Sequence, residues 1–309
     1  MSQHRSTSRN RSITVPNERL PFTFAHYSVA CERHAQRNED SIAIEKRSGI
    51  AAVFDGVGGS AAGEIASQTA ARATHKGWKC AFYQRHKDFK GRMFLEESHQ
   101  VDLCALLPQI LQEADELVRS EGAQRAGTDD LATTVALAAL CREREHNSYT
   151  MVYAHVGDSR VYLLREQEPL KRLTSDDGLL GKLVENQMVN DADARRIDQA
   201  MHADQLSDAE FSYFRLRGGI TQALGGPLPP TIHIDQVSIF PGDRILLCTD
   251  GIHDNLIEDE IEELLRKGPR TSVARLLVEH SILRSHQERF VTVRAKPDDM
   301  SAIVITCRF

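Results

Sequence analysis

Apolar positions along the chain fall into two patterns. Short runs of strand length occur at 22–31 (FTFAHYSVAC), 41–46 (SIAIEK), 49–54 (GIAAVF), 231–240 (TIHIDQVSIF), 243–251 (DRILLCTDG) and 301–309 (SAIVITCRF). Longer segments space their apolar residues as a helix does: 63–82, 99–122, 258–268 and 271–285. The second carries Pro108 near its first turns and Gly122 at its predicted end, and Gly268-Pro269 separates the last two. The run 131–140 (LATTVALAAL) fits helix or buried strand by pattern alone. Its place before 148–166 (SYTMVYAHVGDSRVYLLRE) favours strand, and the latter reads as two strands joined in a hairpin at Gly157-Asp158. Residues 179–217 are polar and charged with short apolar spots, which predicts helical turns in a surface excursion. Residues 1–20 are rich in Ser and Arg and predict a disordered tail before one domain over 21–309. Strands and helices do not alternate regularly, so the expected class is α+β with largely antiparallel sheets.

Composition narrows the function. The chain has 309 residues, 41% of them hydrophobic, enough for a sizeable core, and a net charge of -6 that argues against a nucleic-acid partner. No run reaches the roughly 18 apolar residues of a membrane span, and no apolar secretory leader is visible, so a cytoplasmic protein without a membrane partner is expected. The six cysteines are scattered, with no Cys-x2-Cys pair, and read as reduced small hydrophobes. The histidines form no zinc-binding pattern.

The chemistry sits in the acids. Glu39 and Asp40, Asp55, Asp158, Asp250 and Asp254, and Asp298 and Asp299 lie in five separate segments, beside glycine or at the ends of apolar runs. A lone buried carboxylate costs several kcal/mol unless something pairs with it, and basic partners near these positions are few. A shared divalent cation would satisfy several at once. Oxygen-only ligands suit Mg2+ or Mn2+, and the bare Gly56 carbonyl offers a further oxygen. Any one of these Asp-Gly pairs alone is most often a turn. Their joint occurrence is the signal.

The stretches RNEDS, FDGVGGSAAGEIAS, LATTVAL, VGDSRVYLLR, LTSDDGLL, ITQALGG, CTDGIHDNL and KPDDMSAIVI, in this order from Arg37 to Ile305, resemble the type 2C metal-dependent Ser/Thr protein phosphatases, in their bacterial form. The resemblance implies a central sandwich of two mainly antiparallel sheets flanked by helices, in four α/β/β/α layers. It implies two Mn2+ or Mg2+ ions, with Asp55 bridging them and the Gly56 carbonyl on one. Glu39, Asp250 and Asp298 would complete the second site, and Asp40 would hold a bound water. Asp158 and Asp254 match acids that take a third, weaker ion. The implied reaction is hydrolysis of phosphoserine and phosphothreonine in a protein substrate by a metal-activated water, opposing a bacterial Ser/Thr kinase or acting on its targets.

Three departures stand out. Ala35 occupies the usual place of the phosphate-holding arginine, with Arg33 and Arg37 on either side and Arg37 favoured. Val57 stands where eukaryotic members have a histidine, and Asp177 where a histidine is frequent. The excursion, about 179–219, reads as an extended flap, either contacting substrate or a partner, or a solvated decoration. The missing arginine leaves a catalytically impaired scaffold as the alternative reading.

Overall fold

The computed structural model describes residues 13–14, 21–57, 62–87, 93–97, 101–143 and 148–308; for 13–14, 83–87, 93–97 and 143 it describes the backbone. In chain order the elements are β1 Ile13–Thr14, β2 Phe22–Val29, β3 Asp40–Glu45, β4 Ile50–Val57, α1 Ala62–Phe82, β5 Tyr83–Lys87, β6 Met93–Glu97, α2 Leu103–Leu117 and α3 Ala123–Ala126. There follow β7 Ala132–Thr133, β8 Val135–Glu143, β9 Ser148–Val156, β10 Arg160–Leu164, β11 Lys171–Arg172, α4 Leu179–Glu185, α5 Asp191–Asp198 and α6 Asp208–Arg215. The chain ends with β12 His233–Ile239, β13 Arg244–Cys248, α7 Asp250–His253, α8 Glu258–Lys267, α9 Val273–Ser285 and β14 Met300–Cys307.

Two sheets form. The first runs β12-β9-β8-β4-β3, with β1 on β8 and β7 on β4; the second runs β11-β10-β13-β14-β2. Every strand pairing among the described residues is antiparallel. Alternation along the strands builds the layers. On β8, Val135, Leu137, Ala139 and Cys141 pack with Trp78 of α1 and Leu107 and Leu111 of α2. Ala136, Ala138 and Leu140 face the second sheet, where they meet Ile245, Leu247, Ile303 and Ile305. The far face of that sheet, through Leu246, Ala302 and Val304, packs on Ile261 and Leu265 of α8 and Leu277 of α9. Helix, sheet, sheet, helix is the expected four-layer sandwich.

Four local expectations change. The predicted hairpin at Gly157-Asp158 is not one: β9 pairs with β8 and β12, whereas β10 pairs with β11 and β13. The chain crosses there between sheets, with Gly157 at φ +92°, and a Cβ on it would lie 2.7 Å from Thr134 Cγ2. Gly122 keeps a helical φ of -62°, so the second long helix passes through a π-helical turn, Val118–Gly122, into α3. It stops at Gly127, whose φ is +72°. Asp102 caps its start by accepting from Cys104 and Ala105 N–H, and Pro108 lies inside α2. Of the predicted disordered tail, Ile13 and Thr14 pair with Glu143 and Arg142; the rest lies outside the described residues, as do Gly58 and Gly59. The β5–β6 ribbon was not anticipated. None of the six cysteines is disulfide-bonded; Cys80 and Cys104 are exposed and the other four are buried. No helix among the described residues is long and apolar enough to cross a membrane.

The excursion folds back on the sandwich. Val189, Ile197, Ala200 and Phe214 form a small core of their own. Arg160, 2% exposed, anchors it: its guanidinium donates to Asp176 at 2.5 and 2.9 Å and to Asp198 at 3.2 Å. Arg294, fully buried, donates to the Asp198, Ala200 and His253 carbonyls.

Candidate metal centre

The acids gather at one end of the sandwich because strands of both sheets end there. Asp40 opens β3 and is the cross-strand partner of Asp55 near the end of β4. Asp158 lies at the crossing between sheets. Asp250 begins α7 directly after β13, Asp254 follows α7, and Asp298 precedes β14. Close backbone approach makes this possible. A Cβ on Gly56 would lie 2.2 Å from the Gly63 carbonyl oxygen, and one on Gly251 would lie 1.9 Å from that of Asp299.

Electrostatics record the convergence. Burial, then Asp250, Asp40, Asp298 and Asp158, push the Asp55 carboxyl well above its ordinary range. Burial likewise raises Asp40, despite help from Ser301 and Thr249, and raises Asp158, with Asp250 the next cause. Burial and Asp250 push Asp298 up to about 6. So Asp40, Asp55, Asp158, Asp250 and Asp298 share one locality. Thr249 Oγ1 donates to Asp40 Oδ2 at 2.8 Å, tying the first sheet to the second.

Glu39 borders this group on the side of Arg37, Asp299 and His34; burial raises it and Arg37 partly offsets that. Arg37 Nη2 lies 3.3 Å from Glu39 Oε1. Arg33 sits on the exposed side of a short 3-10 turn, Glu32–His34. Of the two candidate arginines, Arg37 is the one against the acids. Glu39 Oε1, Asp40 Oδ1 and Arg37 Nε are buried without a hydrogen-bond partner. Asp40 Oδ1, without a partner among the acids, fits a hard divalent cation; Glu39 Oε1 faces Arg37 Nη2 at 3.3 Å, and the unpartnered Arg37 Nε–H fits an anion beside it.

Several residues organise the site in ways that the sequence did not show. Asp299 accepts from Cys31 N–H and Glu39 N–H, both at 2.6 Å, and so fixes the loop carrying Arg37 and Glu39. Lys296 lies among Asp250, Asp254 and Asp298; burial opposes its charge, but the three acids outweigh it and keep it protonated well above the usual lysine range. Burial also opposes ionisation of Asp254, yet Lys296 and Arg217 hold its carboxyl well below the ordinary range. Arg217, from the excursion, lies 3.2 Å from Asp254 and stacks on Phe214. Asp177 is a brace for the crossing: it accepts from Gly157 N–H at 2.9 Å and Gln222 Nε2 at 3.0 Å, with His233 Nε2 at 2.9 Å. A signal for Asp299 was present in its pairing with Asp298. Lys296 and Arg217 gave none.

The profile of the protein phosphatase 2C family matches residues 29–283. The chain belongs to that family. A serine/threonine protein phosphatase, PstP, from Mycobacterium tuberculosis is 28% identical over 256 residues, which are 82% of this chain and 41% of PstP. This chain thus spans about two fifths of that relative's length. A serine/threonine phosphatase from Listeria innocua is 25% identical over 77% of this chain and 81% of its own. Among solved structures, the PstP catalytic domain in complex with two manganese ions superposes with a TM-score of 0.65 at 24% identity, over 93% of this chain and 99% of that one. Stp1 from Staphylococcus aureus gives 0.67 at 18% identity, over 95% and 99%. These likenesses establish the protein phosphatase 2C fold for this chain.

Proposed function

We propose that this chain is a cytoplasmic metal-dependent phosphatase that removes phosphate from phosphoserine and phosphothreonine in proteins, its substrates being a Ser/Thr kinase or that kinase's targets. The observation that carries this reading is the convergence of carboxylates from both sheets, with Asp40 Oδ1 buried among them without a hydrogen-bond partner and Glu39 at their border. Glu39, Asp55, Asp250, Asp298 and the Gly56 carbonyl would hold two Mn2+ or Mg2+ ions. When bound, such ions supply Lewis acidity and a water acidic enough to ionise near neutral pH. Asp40, fixed by Thr249, would accept a hydrogen bond from such a water and so orient it. Arg37 clamps the phosphoryl oxygens with the face that Glu39 leaves free. Val57 carries no proton to donate to the leaving oxygen. The cleft of about 630 Å3 between the excursion and the 289–296 loop, with Arg215, Arg217 and Arg289 on its walls, opens beside Asp254 and Lys296. It is placed to receive the polypeptide flanking the phosphoresidue.

The test is hydrolysis of a phosphothreonine peptide with and without Mn2+. Activity should require the metal, and Asp55→Ala should lower it by more than ~100-fold, since even residues behind metal ligands cost ~10–100-fold. Metal-independent turnover, or full activity in Asp55→Ala, would overturn the reading. Silence of the unmutated chain would favour the scaffold, which the placement of Lys296 among the acids also supports.

A further inference from the structure

The acid cluster already contains a cation of the chain's own. Lys296 Nζ donates to Asp250 Oδ2, lies 2.9 Å from Asp254 Oδ2 and 3.1 Å from Asp298 Oδ2. Arg217 Nε is 3.2 Å from Asp254 Oδ1. Both oxygens of Asp254, a residue 3% exposed, therefore face fixed positive charge.

The lysine is held there from its backbone. Asn255, fully buried, donates through Nδ2 to the Gly251 carbonyl at 2.9 Å and the Lys296 carbonyl at 2.8 Å. Lys296 N–H donates back to Asn255 Oδ1 at 3.1 Å. One side chain thus clamps the lysine to the helical turn that bears Asp250 and Asp254. This clamp, which involves no acid and no side-chain charge, sets the backbone from which the ammonium reaches the acids.

A third divalent ion between Asp158 and Asp254 would need Asp254 oxygens that already face Lys296 and Arg217. It would also sit beside their charges without an added acid to offset the repulsion. The residues do not fit such an ion. We infer that Lys296 replaces it: the ammonium, held by Asp250 and Asp254, is a built-in monovalent cation where a third divalent ion would otherwise bind. The inference rests on the two-ion reading above. Lys296 engages Oδ2 of Asp250 and of Asp298; Oδ1 of Asp250 would remain to the two other ions, and Asp298 Oδ1, which accepts from Asp299 N–H at 2.9 Å, has a further lone pair for them. The chemical consequence is a charge of +1 that cannot dissociate or exchange with the medium.

Counting ions tests this without reference to turnover. The full chain would be dialysed against rising Mn2+ up to millimolar levels and bound manganese measured per chain, with far-UV circular dichroism confirming the fold of each variant. The unmutated chain should saturate at two. Lys296→Met, which removes the charge and keeps the bulk, should add a third, weaker ion, and Lys296→Met with Asp254→Asn should return to two. Lys296→Arg keeps a cation and should stay at two, which provides a reading even where the methionine variant is poorly folded. Three ions in the unmutated chain or in Lys296→Arg, or two in a folded Lys296→Met, would overturn the inference alone. Fewer than two in the unmutated chain would overturn the two-ion reading and the inference together.

Discussion

At the residue scale Arg33 and Arg37 differ in surroundings that the sequence does not record. Ala35 removes the expected arginine, and spacing alone left both neighbours open. In the fold, Asp299 draws the Glu39 N–H inward, which carries Arg37 against Glu39, while Arg33 stays on the outer side of its turn. A charged hydrogen bond to substrate contributes roughly 1.5–3 kcal/mol. Arg37→Ala should therefore raise KM for a phosphopeptide by about 10-fold or more, with a smaller change in kcat, and Arg33→Ala should leave both near their starting values. Steady-state kinetics on the two variants check this; an effect at Arg33 with none at Arg37 would reverse the assignment. The carboxylates themselves were legible because an apolar run that ends in an acid brings a charge to the edge of the core, where it needs a cation or water. Lys296 was not, because two of the three acids it meets lie more than forty positions away in the chain (46 for Asp250, 42 for Asp254) and reach it only through folding.

At the scale of elements, what the sequence concealed follows from burial on both faces. β8 shows no alternation of polar and apolar residues because one face meets helices and the other meets a sheet, so period two vanishes and length and neighbours must decide. Gly157-Asp158 misled for another reason: a glycine with positive φ followed by aspartate looks the same whether the next strand pairs with the last or departs for another sheet. The excursion shows the reverse case. Its charged composition suggested a solvated surface, but two acids at its base and within it, Asp176 and Asp198, serve the buried Arg160. Burial works against ionisation of Asp198, yet Arg160, Arg294 and Arg172 outweigh it and hold the carboxyl well below the usual range. Removing one partner of such a group strands the others. Arg160→Met should destabilise the protein by about 3–5 kcal/mol, read as a lower urea midpoint. Asp198→Asn should act in the same direction and open 179–217 to proteolysis first. A midpoint unchanged in both variants would mean that the network does not hold the excursion.

Across the whole molecule, the centre is a seam between sheets. Asp40 and Asp55 come from the first, Asp250 and Asp298 from the ends of strands in the second. Without divalent ions these acids repel one another, and folding raises several of their affinities for protons. Groups raised on folding bind more protons native than unfolded, so stability falls as pH rises between the two values. For the metal-free protein that window opens near the unfolded carboxyl value of about 4 and extends through about 6 for Asp298, with Asp40 and Asp55 raised in the same direction. The melting temperature of the metal-free protein should therefore drop from pH 5 to pH 7.5, and Mn2+ should raise it more at the higher pH, where it no longer competes with bound protons. A metal-free melting temperature that rises over that interval would contradict the picture. The order of strands in the second sheet has a separate consequence, in time. Among the described residues β2 pairs only with β14 there, and Ser28 meets Ser301 across 273 positions of chain. During synthesis β2 leaves the ribosome 273 positions of chain before its partner and must wait, unpaired along that edge, over that interval. A nascent chain of this protein offers a long-lived sticky margin to chaperones, and its slowest step should be the arrival of that late strand.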